Sequence, residues 1–576
     1  MNKEVTGFAS KDRPWLKYYA PEAANVVLPE GTMYDYIKDS NADNMDRIGV
    51  NYYGTHITYG RLIRETDRVA GALQSMGVMP GDMVTVCMVN SPETVYLILA
   101  LSKIGAVANM VYAVSTVKEL HQYMTDTKSK LVFVLDVFRD KIAEAMVGTA
   151  VEKVVVVGTV QAMAWYMRLG ARLAKKLPTI PPINDPRFLS WKQFIVNTGD
   201  SRTCHDGDAA AVITYTGGTT GGSKGVVLSN KAVNAISVQY LAAEKCITRD
   251  EKCIQALPMF IAYGITTALI APLARGVELT IRIPLAETVL DIFKKFKPSV
   301  LMHGPAYWEE MADSNEEIDL SNLKMAISGG DALRPAVEEK VNAYLHRCHA
   351  KTELLNGYGM TEVCAAASFN YSFAHRYGSV GIPFAHTIIA AFDPDTGVEL
   401  PIGKEGEICI HSPSMLTEYV NNPEETENLK RLHEDGRYWV HSGDLGYVDE
   451  DGFVFISGRI KRYIKYVHHG VFKKVFSLDI EKVLTKHPSV SNCAVVPMDD
   501  PETMQCAVAY VIPKEGCGDL AAAEADIRRY CEENLDGGYR PKKYIFVDKF
   551  PLTKIGKVDY RALEKQLAEQ TAPVAV

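Results

Sequence analysis

The stretch "TYTGGTTGGSKGVVLSN", residues 214–230, places five glycines and four threonines around one lysine, Lys224. It follows the apolar run "AAVITYT", so a strand leads into it. Converging backbone N–H groups bind phosphate oxygens well, and the close approach this needs favours glycine. Thr216, Thr219, Thr220 and Ser223 add hydroxyl donors, and Lys224 adds a movable cation. Gly217, Gly218, Gly221, Gly222 and Gly225 supply the pliancy. Taken alone the stretch has two readings, a phosphate cradle and a mobile linker. It is not a Walker loop, because Ser223 separates Gly222 from Lys224 and Gly225 follows the lysine.

Outward from this loop, the chain alternates helical periodicity with short β-branched runs. "TYGRLIRETDRVAGALQSMG" is predicted helical with Gly77 at its end, "DMVTVCMV" a strand, and "PETVYLILALSKIG" a helix. "KLVFVLD" and "EKVVVVG" are further strands. Strands spaced by such helices predict parallel sheets and an α/β chain. At 576 residues the chain exceeds one ordinary core, so several units are expected. From residue 467 a small α/β unit follows, placing a domain boundary near Arg459–Arg462.

Composition narrows the class. The formal charge is −8, from 62 basic and 70 acidic residues, so no global basic field draws the chain to nucleic acid. Eleven scattered cysteines with no CxxC pair read as reduced, buried thiols rather than a disulfide frame or zinc site. The start "MNKEVTGFASKDRPWLKYY" has no apolar signal core, and residues 95–114 read as a buried helix then a strand. A cytoplasmic location is the expectation.

Residues 160–178 break the rhythm: Trp165, Met167, Leu169, Leu173 and Leu177 interleave with Arg168, Arg172, Lys175 and Lys176. A helix of this kind either packs on its own domain or lies on an anionic membrane surface. The sequence favours packing, because surface helices of this kind are common. Weak membrane contact is the competing expectation.

Three downstream segments resolve the opening stretch. "NGYGMTE" (356–362), "HSGDLGYVDEDGFVFISGRIK" (441–461) and "PLTKIGKVDYRAL" (551–563) follow it in an order that resembles the adenylate-forming, AMP-binding superfamily. "SGGDALRP" (328–335), "GSVGIPF" (378–384) and "DPDTGVELPIGKEGEICIHSP" (393–413) extend the resemblance over most of the chain. The form "YTGGTTG" is most similar to acyl-CoA synthetases, the branch that activates fatty and related carboxylic acids.

The resemblance implies an α/β fold with a large N-terminal domain of layered sheets and helices, residues 1–459. A small, mobile C-terminal α/β domain, residues 460–576, would carry a catalytic lysine. The implied reaction joins a carboxylic acid, fatty or otherwise apolar, to ATP, giving acyl-adenylate and pyrophosphate. CoA then takes the acyl group. Alternatives are a carrier-protein pantetheine or an amine as acceptor, and, from another class, a non-catalytic nucleotide-binding scaffold. The scaffold would be expected to lack Glu362, Asp444 or Lys557, and all three are present.

By resemblance Thr216, Gly217, Gly218, Thr219, Thr220, Gly221, Ser223 and Lys224 hold the β- and γ-phosphates. Asn356, Gly357, Tyr358 and Gly359 belong to the nucleotide site, with Tyr358 stacking on adenine against the backbone of Gly329, Gly330 and Asp331. Thr361 touches the α-phosphate and Glu362 holds Mg²⁺, a hard cation suited to carboxylate and phosphate oxygens. Asp444 and Arg459 reach the ribose or phosphate, Lys461 is the hinge, and Lys557 bridges the acid and α-phosphate. The acyl pocket draws on Phe260, Ile261, Tyr263, His303 and Cys364.

Two departures stand out. Ile261 occupies a place where the family usually has histidine. "YIKYVHHGVFKKVFSLDIE" (463–481) is longer than the family pattern, reading as a loop at 467–476 with Ser477 capping the next helix. Its His468, His469, Lys473 and Lys474 leave the acceptor open; the two lysines meet CoA phosphates or are solvated loop charge.

Overall fold

The computed structural model describes residues 5–173, 184–196, 199, 201–216, 223–244, 246–283, 288–314, 316–460, 463–468, 471–514, 516–553 and 557–571. The predicted elements form. Thr58 accepts a hydrogen bond from Arg61 N and starts the helix Tyr59–Ser75; Gly77, at φ +86°, stands just beyond its end. Ser91 caps the helix Pro92–Ile104 and Gly105 closes it in the left-handed conformation. That helix is apolar on every side and is buried along its whole length, as such a sequence requires.

Two large sheets hold the main core. In one, Ala210–Tyr215, Val107–Met110, Met83–Cys87, Leu131–Leu135, Lys153–Val157 and Phe188–Ser190 run parallel. Gly225–Ser229 pairs antiparallel with Ala210–Tyr215. In the other, Glu278–Ile281, Lys252–Gln255, Val300–His303, Met325–Ser328 and Leu354–Tyr358 run parallel. Their carboxyl ends lie side by side, where open α/β sheets place their ligands. A third sheet, with Ile388–Phe392, Gly406–His411, Tyr438–Val448, Lys430–Leu432 and Val454–Arg459, is antiparallel.

After Arg459 ends that sheet, Tyr463 begins a strand of a separate five-stranded sheet with its own apolar core around Ile464, Val495, Ala509 and Ile527. Here the expected loop at 467–476 is largely a hairpin: Tyr463–His468 pairs antiparallel with Val471–Phe476. Alternating β-branched and aromatic residues around His469–Gly470 make a strand pair more favourable than a loop. Ser477 is the first residue of the helix Ser477–Leu484 rather than its cap; Phe476 holds the cap position and donates no side-chain contact there.

All eleven cysteines are free thiols, most of them buried. Among the described residues no helix is long and apolar enough to cross a membrane.

Candidate active site

The glycine-rich stretch joins two antiparallel strands, Ala210–Tyr215 and Gly225–Ser229. A Walker loop opens a helix instead, so the topology separates the two independently of spacing. The neck of the loop is tied by three bonds. Thr216 N donates to Lys224 O at 3.0 Å, Lys224 N to Thr216 Oγ1 at 3.2 Å, and Ser223 Oγ to Thr216 O at 2.6 Å. Gly217, Gly218, Thr219, Thr220, Gly221 and Gly222 lie outside the described residues, as does Lys461. The Lys224 ammonium pairs with Glu425 and lies 5.0 Å over the Tyr419 ring.

Opposite, parallel strands deliver the nucleotide residues from their carboxyl ends. Gly329, Gly330 and Asp331 follow Met325–Ser328, with Gly330 at φ +87°. Asn356, Gly357 and Tyr358 close the strand Leu354–Tyr358. Gly359 is required sterically, since a Cβ there would fall 2.2 Å from Ala365 O. Tyr358 Oη donates to Asp444 Oδ2 at 2.7 Å, and Arg459 Nε lies 2.7 Å from Asp444 Oδ1. Asp444 and Arg459 are cross-strand neighbours, which explains why a pair fifteen positions apart in sequence meets. Burial pushes the Asp444 carboxyl above its ordinary range, opposed by Arg459 and Tyr358.

Thr361 and Glu362 sit on the short helical turn Thr361–Val363. Burial raises the Glu362 carboxyl, opposed by the hydrogen bond from Tyr419 Oη to its Oε1 at 2.6 Å. One buried carboxylate beside a phosphate loop fits Mg²⁺, which is held by few carboxylates together with substrate phosphates.

Lys557 arrives from the small C-terminal unit on a loop closed by Thr553 N to Lys557 O, 2.7 Å, and Lys557 N to Thr553 Oγ1, 3.1 Å. Desolvation lowers its ammonium pKa, while Asp331, Asp444 and Glu362 act to raise it. The lysine is thus near enough to these carboxylates, and to Arg459, which acts to lower its pKa, for their charges to be felt. Arg334 Nη1 donates to Asn492 Oδ1 at 2.9 Å across the same junction.

Of the predicted acyl-pocket residues, Tyr263 lies against Gly329, and His303 O accepts from Gly329 N at 3.2 Å. Phe260 stacks on Tyr112 at 4.4 Å, and His303 packs on Tyr307 at 3.6 Å. Ile261 precedes the helix Ala262–Ile265, and Tyr263 packs under Gly329. Cys364 is buried, its carbonyl accepting from Thr266 Oγ1 at 2.8 Å, and burial pushes its thiol up. Burial pushes the His303 imidazole down to about 3, so it is neutral, and its Nδ1 accepts from Gly304 N at 3.0 Å. Tyr263 Oη, Ser328 Oγ and Asn356 Oδ1 are buried with no hydrogen-bond partner among the described residues. Such atoms cost free energy unless a ligand satisfies them.

Sequence reading missed Tyr419, Glu425, Tyr112, Tyr307 and Glu407. Glu407 braces the turn before Asp444 by accepting from Gly443 N at 3.0 Å and contacting His441 Nδ1 at 2.8 Å. Tyr419, Glu425, Tyr112 and Tyr307 lie outside the motifs that carry the resemblance, and Glu407 lies within one of them, the segment 393–413.

Residues 37–420 match the model of the AMP-binding enzyme family, and 479–557 match that of the AMP-binding enzyme C-terminal domain. The chain is similar to 4-coumarate–CoA ligase 5 of Oryza sativa subsp. japonica, at 29% identity over 94% of this chain and 96% of that protein. It is also similar to a long-chain-fatty-acid–CoA ligase of Bacillus subtilis, at 26% identity over 97% and 98% of the two chains. Its fold superposes on an anthranilate CoA ligase, AuaEII, bound to anthranoyl-AMP, with TM-score 0.80 and 21% identity, covering 95% and 99% of the two chains.

Proposed function

The chain belongs to the AMP-binding enzyme family, and on that premise we propose that it activates an apolar carboxylic acid with ATP and passes the acyl group to CoA. The observation that carries the proposal is the buried pair Tyr358–Asp444, with Arg459 on the same carboxylate and Lys557 within electrostatic range of it.

In the first half-reaction a carboxylate oxygen attacks the α-phosphorus, and the bond to the bridging oxygen breaks with its electron pair leaving on pyrophosphate. Both partners are anions, so charge must be neutralised before they approach. Lys557 is placed to lie between the acid and the α-phosphate. Lys224, Thr216 and Ser223 grip the departing pyrophosphate, and Thr361 contacts the α-phosphate. Tyr358, held by Asp444, carries adenine, while Asp444 and Arg459 hold ribose. Mg²⁺ held by Glu362 would add charge neutralisation at the phosphates. In the second half-reaction the CoA sulfur attacks the acyl carbonyl, and the carbonyl-to-phosphate-oxygen bond breaks to release AMP. Lys461 acts as the hinge between the two poses.

Phe260, Ile261 and Tyr112 support an apolar acid, as does neutral His303. The relatives act on aromatic and fatty acids by name, which fits the same class. AMP release measured over a panel of aromatic and aliphatic acids tests the proposal. Release is expected to require both an apolar acid and CoA. Pyrophosphate exchange without any CoA-dependent AMP release would overturn the thioester step and leave the adenylating core standing.

A further inference from the structure

The helix Trp165–Leu173 turns its apolar side chains outward. Trp165 is 70% and Leu173 77% exposed, and Tyr166, Met167 and Leu169 are exposed too. The expectation that this helix packs on its own domain therefore fails. Trp165, Leu169 and Leu173 follow one another at four-residue spacing, so they form one stripe. A contiguous apolar stripe left in water marks an interaction site.

The helix is rooted at its N-terminal end. Thr55 Oγ1 donates to Ala162 O at 2.7 Å, Ala164 N donates to Tyr53 O at 3.3 Å, and Ala162 and Met163 pack on the main core. Tyr166 covers Gly54, where any Cβ would fall 2.0 Å from its Oη. With that end docked, the stripe beyond it faces solvent.

Charge identifies the occupant. From Lys153 to Asn184 the sequence carries Lys153, Arg168, Arg172, Lys175 and Lys176 and no acidic residue, in a chain whose net charge is −8. Arg168 is exposed within the helix itself. Tryptophan and tyrosine partition to the headgroup zone of a bilayer, and arginine beside them meets anionic headgroups. An apolar stripe beside arginine is the pattern of a helix that lies in a membrane surface rather than across it.

We infer that the helix Trp165–Leu173 docks the protein on an anionic bilayer surface. The inference does not rest on the proposed reaction.

The tryptophans supply a direct readout. Trp15, Trp308 and Trp439 are fully buried and Trp191 nearly so, leaving Trp165 as the exposed one among the five. The full chain is mixed with vesicles of phosphatidylcholine alone, or with roughly one part in four phosphatidylglycerol. Pelleting with the anionic vesicles and a blue shift of tryptophan emission are expected, both weakened by salt. Leu169→Ser with Leu173→Ser is expected to abolish binding. Arg168→Gln is expected to weaken it roughly fivefold. Unchanged pyrophosphate exchange in these variants shows that they fold. Absence of pelleting and of the emission shift would overturn the inference, as would equal binding to neutral vesicles. Concentration-dependent dimerisation lost in the same serine variant, without vesicle binding, would assign the stripe to a second copy instead.

Discussion

The Tyr419 hydroxyl donates to Glu362 Oε1 at 2.6 Å, while the same ring lies 5.0 Å beneath the Lys224 ammonium. One side chain thus touches both the carboxylate suited to the metal and the cation of the phosphate loop. Tyr419 sits on the strand Glu418–Tyr419, which pairs with Gly225–Ser229 directly after the loop. The positions of the Glu362 carboxylate and the Lys224 ammonium therefore share one side chain.

Tyr419→Phe retains the ring and removes the hydrogen bond. A hydrogen bond to a charged group is worth about 1.5–3 kcal/mol, so pyrophosphate exchange should fall roughly 10- to 100-fold. Losing this donor disfavours the ionised form of Glu362, so the acid limb of the pH–rate profile should move to higher pH. Initial-rate exchange assays across pH check both outcomes.

Lys557→Ala should separate the two half-reactions. Adenylation loses its bridging cation and should drop by about 10²–10³-fold. Transfer from a supplied acyl-adenylate to CoA should persist, because the proposed role of Lys557 is confined to the attack on the α-phosphate. Normal pyrophosphate exchange in this variant would remove Lys557 from its assigned role.

Glu425→Gln should ease ATP binding. Lys224 pairs with Glu425 and must leave it to reach phosphate oxygens. Both groups are partly exposed, so the pair contributes about 1 kcal/mol at most. A KM for ATP lowered by roughly two- to fivefold, with kcat little changed, is the expected result from steady-state kinetics.

His303 should make the protein acid-sensitive. Its pKa falls from 6.5 to about 3 on burial, so the native state keeps it neutral where the unfolded chain binds a proton. Stability is then lost as pH falls from about 6.5 towards 3 and levels off below. His303→Gln should flatten this limb, by about 2–3 kcal/mol near pH 4.5, relative to the parent protein. Urea midpoints for the two proteins across that range provide the comparison.

The helices Tyr59–Ser75 and Pro92–Ile104 were legible because their periodicity and end signals are local. The hairpin Tyr463–His468 with Val471–Phe476 was misread as a loop, although its β-branched and aromatic residues carried the strand signal. Ser477 was assigned a cap because serine suits one, yet the strand Val471–Phe476 runs directly into the helix and leaves Phe476 at that position.

The sequence by itself determined the α/β class, the AMP-binding family and the motif residues Lys224, Tyr358, Glu362, Asp444 and Lys557. Each lies in a short segment whose residue types, order and spacing carry information without reference to distant parts of the chain. Tertiary structure alone decided that Tyr419 joins Glu362 to Lys224, that Glu425 pairs with that lysine, and that Tyr112 stacks on Phe260 and Tyr307 packs on His303. It also decided which way the stripe of Trp165, Leu169 and Leu173 faces. Helical spacing places apolar residues on one side of a helix, but only the packing of the rest of the chain determines whether that side meets protein or solvent.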